Sequence, residues 1–425
     1  MSRVRMAAGY LDTAPVLLPT LLGSPVVTGP VVAVVGGGQL ARMMTPAATA
    51  LGLGLRVLVE NPTTSAAQVV VDAPVGLPKD RGAVQALVEG DGERPRADVL
   101  TFEHEHVPGE VLAEVLASGV PVRPSAAALI HAQDKIAMRR RLTEIGVPCP
   151  DWAELPDAAA LSRFLEDHGG EAVVKTARGG YDGKGVRVVR STSEVVEWFA
   201  AAGIGGPALL AEAKVPFVRE LAVLLARRPS GEIRTWPVVE TVQADGVCSV
   251  VLAPAPDLDP AVEAAALDAA TRVAEGLDVT GVLAVELFEV AGRSVGPAGE
   301  AGARVLVNEL AMRPHNSGHW TLDGAVTSQF EQHLRAVLDL PLGDTTPTAR
   351  WSVMANVLGA ERRELTEALP EVAALDPAAK VHLYGKDVRP GRKLGHVTVC
   401  GEDLGAVRER ALAAAAVVRG DSTHG

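Results

Sequence analysis

Two hydrophobic runs carry acids where a buried strand should carry none, Glu286 within GVLAVELFEV and Glu309 within RVLVNELAM. A hairpin joining the runs would bring both carboxylates within reach of one divalent cation, and hard oxygen donors completed by phosphate oxygens suit magnesium. Buried without a partner, such acids would cost several kcal/mol, so a metal or another cation is expected beside them. A structural salt bridge is the plainer alternative. Asn308 precedes Glu309, and neighbouring strand residues face opposite ways, so both reach one ion only across a β-bulge.

A second constellation is VVKTARGGYDGKGVRVV at Val173 to Val189, in which a strand lysine, Lys175, precedes a hairpin loop holding Tyr181, Asp182 and Lys184. Lys175 can aim a fixed charge at one phosphate while loop amides and Lys184 wrap the others. Four glycines between Gly179 and Gly185 let the loop close over a nucleotide. An ordinary flexible hairpin is the competing reading. Downstream, Glu212 ends one strand and Glu220 opens the next. The first strand edge would offer backbone groups to a base, and the Glu220 carboxylate could accept both ribose hydroxyl protons, although most glutamates so spaced are merely solvated.

RPHNSGHW at Arg313 to Trp320 follows the second acid directly. Its Arg313, His315 and Asn316 could hold a planar oxyanion such as bicarbonate beside a transferring phosphate. YGKDVRPGRKLGH gathers Lys386, Arg389, Arg392 and Lys393 on a Pro/Gly turn, suited either to a dianionic phosphate or to simple solvation. GGGQLA at Gly36 to Ala41 fits GxGxxA between a strand and a helix, and Glu60 ends the next strand. That pattern alone allows a nicotinamide-binding Rossmann domain with Glu60 on the ribose, or a tight packing turn.

These residues need elements to position them. From Val31 a strand, the glycine turn, a helix and a second strand form a βαβ unit, and the alternation runs on through a helix near Gly82 to Glu89, a strand at Asp98 to Phe102, a helix after Pro108 and a short strand ending near Arg123. A charged helix, DKIAMRRRLTEIG, follows, closed by Gly146 and Pro148. Strand-like segments then dominate, interrupted by helices at Glu194 to Ala202 and Pro260 to Gly276. The tail after Pro347, with KVHLYG, HVTVCG and a closing helix from Leu404, reads as a small third domain. The expected fold class is therefore α/β followed by α+β.

A chain of 425 residues favours two to three domains, and 48% hydrophobic with 22% charged residues is the balance of a folded globular protein. A formal charge of −12 without a long Lys/Arg run argues against nucleic acid as a partner. Cys149, Cys248 and Cys400 are far apart and lack CxxC spacing, which fits a reducing compartment without a disulfide framework or zinc site. The apolar stretch PVLLPTLLGSPVV is broken by prolines too early to span a membrane, so residues 1–28 read as a poorly ordered extension.

With GGGQLARM, GGYDGKG, NELAMRPHNSGHW followed by SQFEQHLRAV, and KDVRPGRKLGH in this order, the chain resembles the 5-(carboxyamino)imidazole ribonucleotide synthases, ATP-grasp ligases of purine biosynthesis, over about residues 30–400. The resemblance implies a Rossmann-like domain at 29–130, an ATP-grasp core at 131–345 with a mobile lid at about 150–215, and a small C-terminal domain at 346–425. It implies ATP and Mg2+ as cofactors, 5-aminoimidazole ribonucleotide and bicarbonate as substrates, a cytoplasmic homodimer, and carboxyphosphate as the intermediate.

Carried onto this sequence, the ATP contacts fall on Lys135, Lys175, Gly180, Tyr181, Asp182, Gly183, Lys184, Gly185, Val186, Glu212, Ala213, Lys214, Val215, Glu220, Gln243, Asn308 and Glu309. Metal ligands fall on Glu286 and Glu309, and catalytic roles on Arg313, His315, Asn316 and Lys184. The ribonucleotide falls to Gly38, Gln39, Glu103, Tyr181, Asp182, Lys386, Arg392 and Lys393. Lys135 stands where some relatives have arginine, and Gln243 replaces a histidine, so an amide takes over there. Competing assignments are a sister ATP-grasp ligase acting on another purine intermediate, an NAD-dependent dehydrogenase built on GGGQLA, and a non-catalytic nucleotide-binding module. The dehydrogenase leaves Lys175, the glycine loop and the paired acids unexplained. Removing residues 1–28 is expected to leave activity and melting temperature almost unchanged; a large fall in melting temperature would show that the extension packs on the core.

Overall fold

Val31–Val35 is apolar at every position and buried at every position, which suits only a strand covered on both faces. This strand, β1, lies between two parallel neighbours, β2 (Gly54–Leu58) and β3 (Val99–Phe102). The helices Gln39–Ala50 and Arg81–Glu89 carry the chain between them. The segment expected as a strand near Arg123 adds only an isolated bridge, Val122 to Leu100. The computed structural model of the chain describes residues 29–91, 94–179, 185–244, 246–295 and 301–421. Residues 1–28 and the loop residues Gly180 to Lys184 lie outside the described residues, together with the expectations placed on them.

A second, antiparallel sheet has the order β4-β7-β5-β6, from β4 (Trp152–Glu154), β5 (Ala172–Thr176), β6 (Val186–Val189) and β7 (Leu209–Ala213). The helix Ala158–Asp167 packs its Leu161, Phe164 and Leu165 into this sheet's core. Sequence reading passed over this helix, although Asp157 caps it through Ala160 N–H and its apolar spacing is helical.

The third sheet positions the chemistry. Its strands are β8 (Phe217–Arg227), β9 (Ile233–Thr235), β10 (Val239–Ala244), β11 (Val247–Ala253), β12 (Gly281–Val295), β13 (Ala301–Ala311), β14 (Trp351–Leu358), β15 (Lys380–Leu383) and β16 (Lys393–Gly401). They run β13-β12-β8-β10-β11-β14-β16-β15, with β9 paired to β8. The run TWPVVETVQ, read as one strand, is split around Pro237, which has no N–H to give to a ladder. The helix Pro260–Gly276 forms over the expected span, with Asp259 capping Ala261 N–H and proline in the first turn. The tail after Pro347 has its own apolar cluster, with Val353, Val397 and Val399 packed on Ala411, Ala414 and Ala415 of the helix Leu404–Arg419. It has no separate sheet, because β14 pairs with β11 from Val250↔Ala355 to Ala253↔Ser352.

His333, on the helix Gln329–Val337, ties the first sheet to the third. Val282 N–H of β12 donates to its Nδ1 at 3.1 Å, so Nε2 carries the proton and donates to Thr101 Oγ of β3 at 2.8 Å. Both nitrogens are satisfied only in the neutral ring, and burial pushes its pKa down to about 3. The unfolded chain therefore takes up a proton below about 6.5 that the folded chain refuses, and stability falls as pH drops from there toward 3. Across that window the residue contributes a slope of about 1.4 kcal/mol per pH unit. Denaturant unfolding from pH 7 to 4 is expected to be less acid-sensitive in His333→Gln than in the wild type; equal slopes would contradict the neutral bridge.

Candidate active site

The two acids singled out from the sequence stand directly opposite each other, Glu286 on β12 and Glu309 on β13. The register then slips, Leu287 pairing with Val307, so that Asn308 is the extra residue of a β-bulge. This is the bulge that the adjacent Asn308 and Glu309 require if both are to face one ligand. Asn308 Oδ1 accepts from Lys175 Nζ of β5 at 3.3 Å, and Glu309 Oε1 accepts from Lys135 Nζ at 3.0 Å. Glu220 of β8 pairs across from Phe288, two residues beyond Glu286 and on its face of the sheet, where its carboxylate accepts from Gln243 Nε2 at 2.8 Å.

Three carboxylates on one patch repel. Burial, then the charges of Glu309 and Glu220, push the Glu286 pKa up to about 8. The side chain keeps 27% of its surface open, but to a walled cleft rather than to bulk water. Burial likewise raises the Glu220 pKa.

Lys175 Nζ lies 2.7 Å from Glu212 Oε2, and Arg139 approaches Glu212 Oε1 at 2.8 Å through both Nε and Nη2. Glu212, expected to matter through its strand edge, thus has its side chain occupied by two cations, which hold its pKa down to about 2 against the burial that raises it. Sequence reading missed Arg139, one of three consecutive arginines; its signal is a helical turn's spacing from Lys135.

In the RPHNSGHW segment, Gln329 grips the backbone at both ends of its carboxamide, accepting from His315 N–H at 2.8 Å and donating to His315 O at 2.8 Å. Burial, then the charges of Arg313 and Lys393, hold His315 well below its ordinary pKa. Ser317 N–H points at its Nδ1, so the ring is neutral and its Nε2 proton faces Glu286 Oε1 at 3.5 Å. Arg313 Nε lies 2.9 Å from Glu105 Oε1, too poorly aligned for a hydrogen bond, and Asn316 Nδ2 is buried with no well-formed hydrogen bond among the described residues. Glu105, also missed, sits in TFEHEHVP among alternating acids and histidines that give no clue to which one turns inward.

The glycine turn is filled from within the chain. Glu103 accepts from Leu40 N–H at 3.3 Å, at the start of the helix Gln39–Ala50. A Cβ on Gly38 would come 2.0 Å from Glu103 Oε1, so glycine there makes room for this carboxylate. The position that would attract a dinucleotide phosphate already holds a carboxyl group, whose pKa burial pushes up. Glu60, which a dehydrogenase would need on the ribose, faces His104 at 3.8 Å. The GGGQLA segment is therefore not read as a nicotinamide site.

One cleft of about 1230 Å3 collects the described candidates. Its walls include Gln39, Glu103, Lys135, Lys175, Val186, Glu212, Ala213, Lys214, Val215, Glu220, Gln243, Glu286, Asn308, Glu309, Arg313, His315, Asn316, Lys386, Arg392 and Lys393. Gly38 and Gly185 are set back from it, and Arg389 points away beside Asp387 at 3.6 Å. Lys386 Nζ bonds Gln39 Oε1, which joins the C-terminal basic loop to the glycine turn.

The residues fit a divalent cation brought in with phosphate. Among the described residues no three His, Cys, Asp or Glu side chains converge to hold a metal alone, but two opposed carboxylates with ligand oxygens suffice for magnesium. The strain of the acid pair has a measurable consequence. Because the folded-state pKa of Glu286 is raised, ionising it destabilises the fold increasingly as pH rises from its ordinary value toward 8. Glu286→Gln in chelator-treated buffer is expected to be more stable than wild type by about 1 to 2 kcal/mol at pH 8, with the gain vanishing near pH 5. A loss of stability at pH 8 would contradict the repulsion.

Residues 30–133 match the ribonucleotide synthetase preATP-grasp domain, 140–330 the ATP-grasp domain, and 352–410 the phosphoribosylaminoimidazole carboxylase C-terminal domain. The N5-carboxyaminoimidazole ribonucleotide synthase of Mycobacterium tuberculosis strain H37Rv is 49% identical over 398 residues, covering 92% of this chain and 89% of its own. The crystal structure of N5-carboxyaminoimidazole ribonucleotide synthetase from Thermus thermophilus superposes with a TM-score of 0.78 at 38% identity, over 92% of this chain and 99% of that one. An Aspergillus clavatus N5-carboxyaminoimidazole synthase, in complex with ADP and 5-aminoimidazole ribonucleotide, gives 0.77 at 31% identity, over 92% and 98%. Near-half identity along nine-tenths of the chain, with the three domain matches in the order the motifs imply, makes this chain a member of the N5-carboxyaminoimidazole ribonucleotide synthase family of ATP-grasp ligases.

Proposed function

We propose that the chain uses ATP to carboxylate 5-aminoimidazole ribonucleotide with bicarbonate, giving N5-carboxyaminoimidazole ribonucleotide, ADP and phosphate. The observation that carries this reading is that one cleft joins a Lys175 and paired-acid site, an oxyanion-donor segment and a basic loop. A bicarbonate oxygen attacks the γ-phosphorus, the bond to the bridging oxygen of ADP breaks, and carboxyphosphate forms. The ribonucleotide amine then takes the carboxyl carbon, or CO2 released from it, losing a proton as phosphate departs.

Lys175 and Lys135 supply positive charge to the triphosphate, Asn308 positions it, and the Glu220 carboxylate accepts from the ribose hydroxyls. Magnesium held by Glu286 and Glu309 would neutralise charge developing on the phosphoryl oxygens. Arg313, the Nε2 proton of neutral His315 and the Asn316 amide orient the bicarbonate. Lys184, with Gly180, Tyr181, Asp182 and Gly183, is assigned to the closing loop on family resemblance. Glu103 and Gln39 face the ribonucleotide, while Lys386, Arg392 and Lys393 take its 5′-phosphate.

The reading includes a cytoplasmic homodimer. Three unpaired cysteines are consistent with a reducing compartment, and among the described residues no helix is long and apolar enough to cross a membrane.

ADP release and incorporation of labelled bicarbonate, each measured with one substrate omitted, test the proposal. Carboxylated product must require ATP, bicarbonate and the ribonucleotide together; ADP formation indifferent to the ribonucleotide would overturn it. The basic loop gives a sharper expectation. Lys386→Ala or Arg392→Ala removes a charge-assisted contact worth roughly 1.5 to 3 kcal/mol, on the order of ten- to a hundredfold. Steady-state kinetics should show that loss in the KM for the ribonucleotide, with the KM for ATP little altered. A rise in the ATP KM instead would reverse the assignment of the two phosphates.

A further inference from the structure

Arg139 has no assigned part in the site, yet its side chain is fully buried and reaches two of the strands that build it, β7 and β13. It lies on the helix Lys135–Glu144, one turn beyond Lys135. Nη1 donates to Val307 O at 2.9 Å and Nη2 to Asn308 O at 2.8 Å, the two carbonyls that flank the bulge of β13. Nε and Nη2 also hold Glu212 Oε1 on β7, whose Oε2 holds Lys175 Nζ.

The charges of this cluster do not cancel. Among the described residues, two cations, Arg139 and Lys175, share one carboxylate, Glu212, and the other hydrogen-bond partner of Lys175 is the neutral Asn308 amide; burial pushes the Lys175 pKa down against the pull of Glu212. Glu309, whose charge also acts on both cations, is paired with Lys135. A buried cluster left with a positive charge attracts an anion strongly. Without Arg139 the count changes, because Glu212 and Lys175 would form a closed pair with nothing left to offer.

We propose that Arg139 is a positioning residue that neutralises Glu212, so that the charge of Lys175 remains available to a nucleotide phosphate. The inference rests on the reading of Lys175 as a nucleotide ligand. Arg139 touches neither phosphate nor reacting atom; it acts through Glu212 and through the carbonyls that fix the Asn308 bulge.

The test is calorimetric titration of Mg·ADP into the full-length wild type and four variants, with circular dichroism to verify folding. Lys175→Met should weaken ADP binding on the order of ten- to a hundredfold, and Arg139→Met by a similar factor. Arg139→Lys, which keeps the charge, should stay within a few-fold of wild type. The double variant Arg139→Met with Glu212→Gln should regain most of the affinity lost in Arg139→Met, because removing the carboxylate frees Lys175 again.

A double variant as weak as Arg139→Met would overturn the inference, as would normal binding by Arg139→Met, while leaving the nucleotide role of Lys175 intact. Normal binding by Lys175→Met would overturn that role and the inference with it. Should Arg139→Met fail to fold, Glu212→Gln alone decides: it must bind Mg·ADP at least as tightly as wild type, and weaker binding overturns the proposal.

Discussion

Carboxylates on the inner face of a sheet have to be answered by positive charge, and most of the arrangement of this protein follows from that demand. Glu220, Glu286 and Glu309 share one patch of the third sheet. The cations that act on them are Lys135 from a helix before the second sheet, Lys393 at the start of β16, and Arg313 from the segment after β13. Glu105, from the loop after β3, turns Arg313 to its place. Each charged contact therefore fixes one layer of the molecule against another, and the cleft is the space these contacts surround. The protein's own cations leave Glu286 with its pKa pushed up to about 8.

The first sheet shows the opposite economy. Its strand–glycine turn–helix geometry is that of a phosphate-binding unit, and the helix start would attract an anion. Glu103 fills that position with a carboxyl group from within the chain. The turn thereby becomes a support for Gln39 and, through it, for Lys386 of the basic loop. A carboxyl group placed there from within the chain explains how a fingerprint for dinucleotides can sit in a member of this ligase family.

How much of this was legible in the sequence depended on distance along the chain. Glu286 and Glu309 stood out because each breaks a short apolar run, and the need for a bulge at Asn308 followed from strand alternation alone. The helix Pro260–Gly276 carried its proline and aspartate start signals locally. Arg139 did not stand out, because neighbours Arg140 and Arg141 have the same chemistry and only the packing of the helix decides which is enclosed. The joining of β14 to β11 was hidden for a related reason: the partners are about a hundred residues apart, and each strand reads equally well as part of a separate sheet. Gln329 was equally silent, since a glutamine on an amphipathic helix becomes informative only when its carboxamide is seen gripping the His315 backbone.

We propose the Glu286–Glu309 pair as the seat of a cation that arrives with the nucleotide. At pH 7 a carboxyl with a pKa near 8 is protonated in most molecules, and a metal can bind it only after that proton leaves. Calorimetric titration of Mg·ADP in buffers of different ionisation enthalpy counts the protons expelled. The account predicts a release greater by up to about one proton per site in the wild type than in Glu286→Gln. Equal release by the two proteins would contradict it, because the cation would then have settled somewhere other than between these acids.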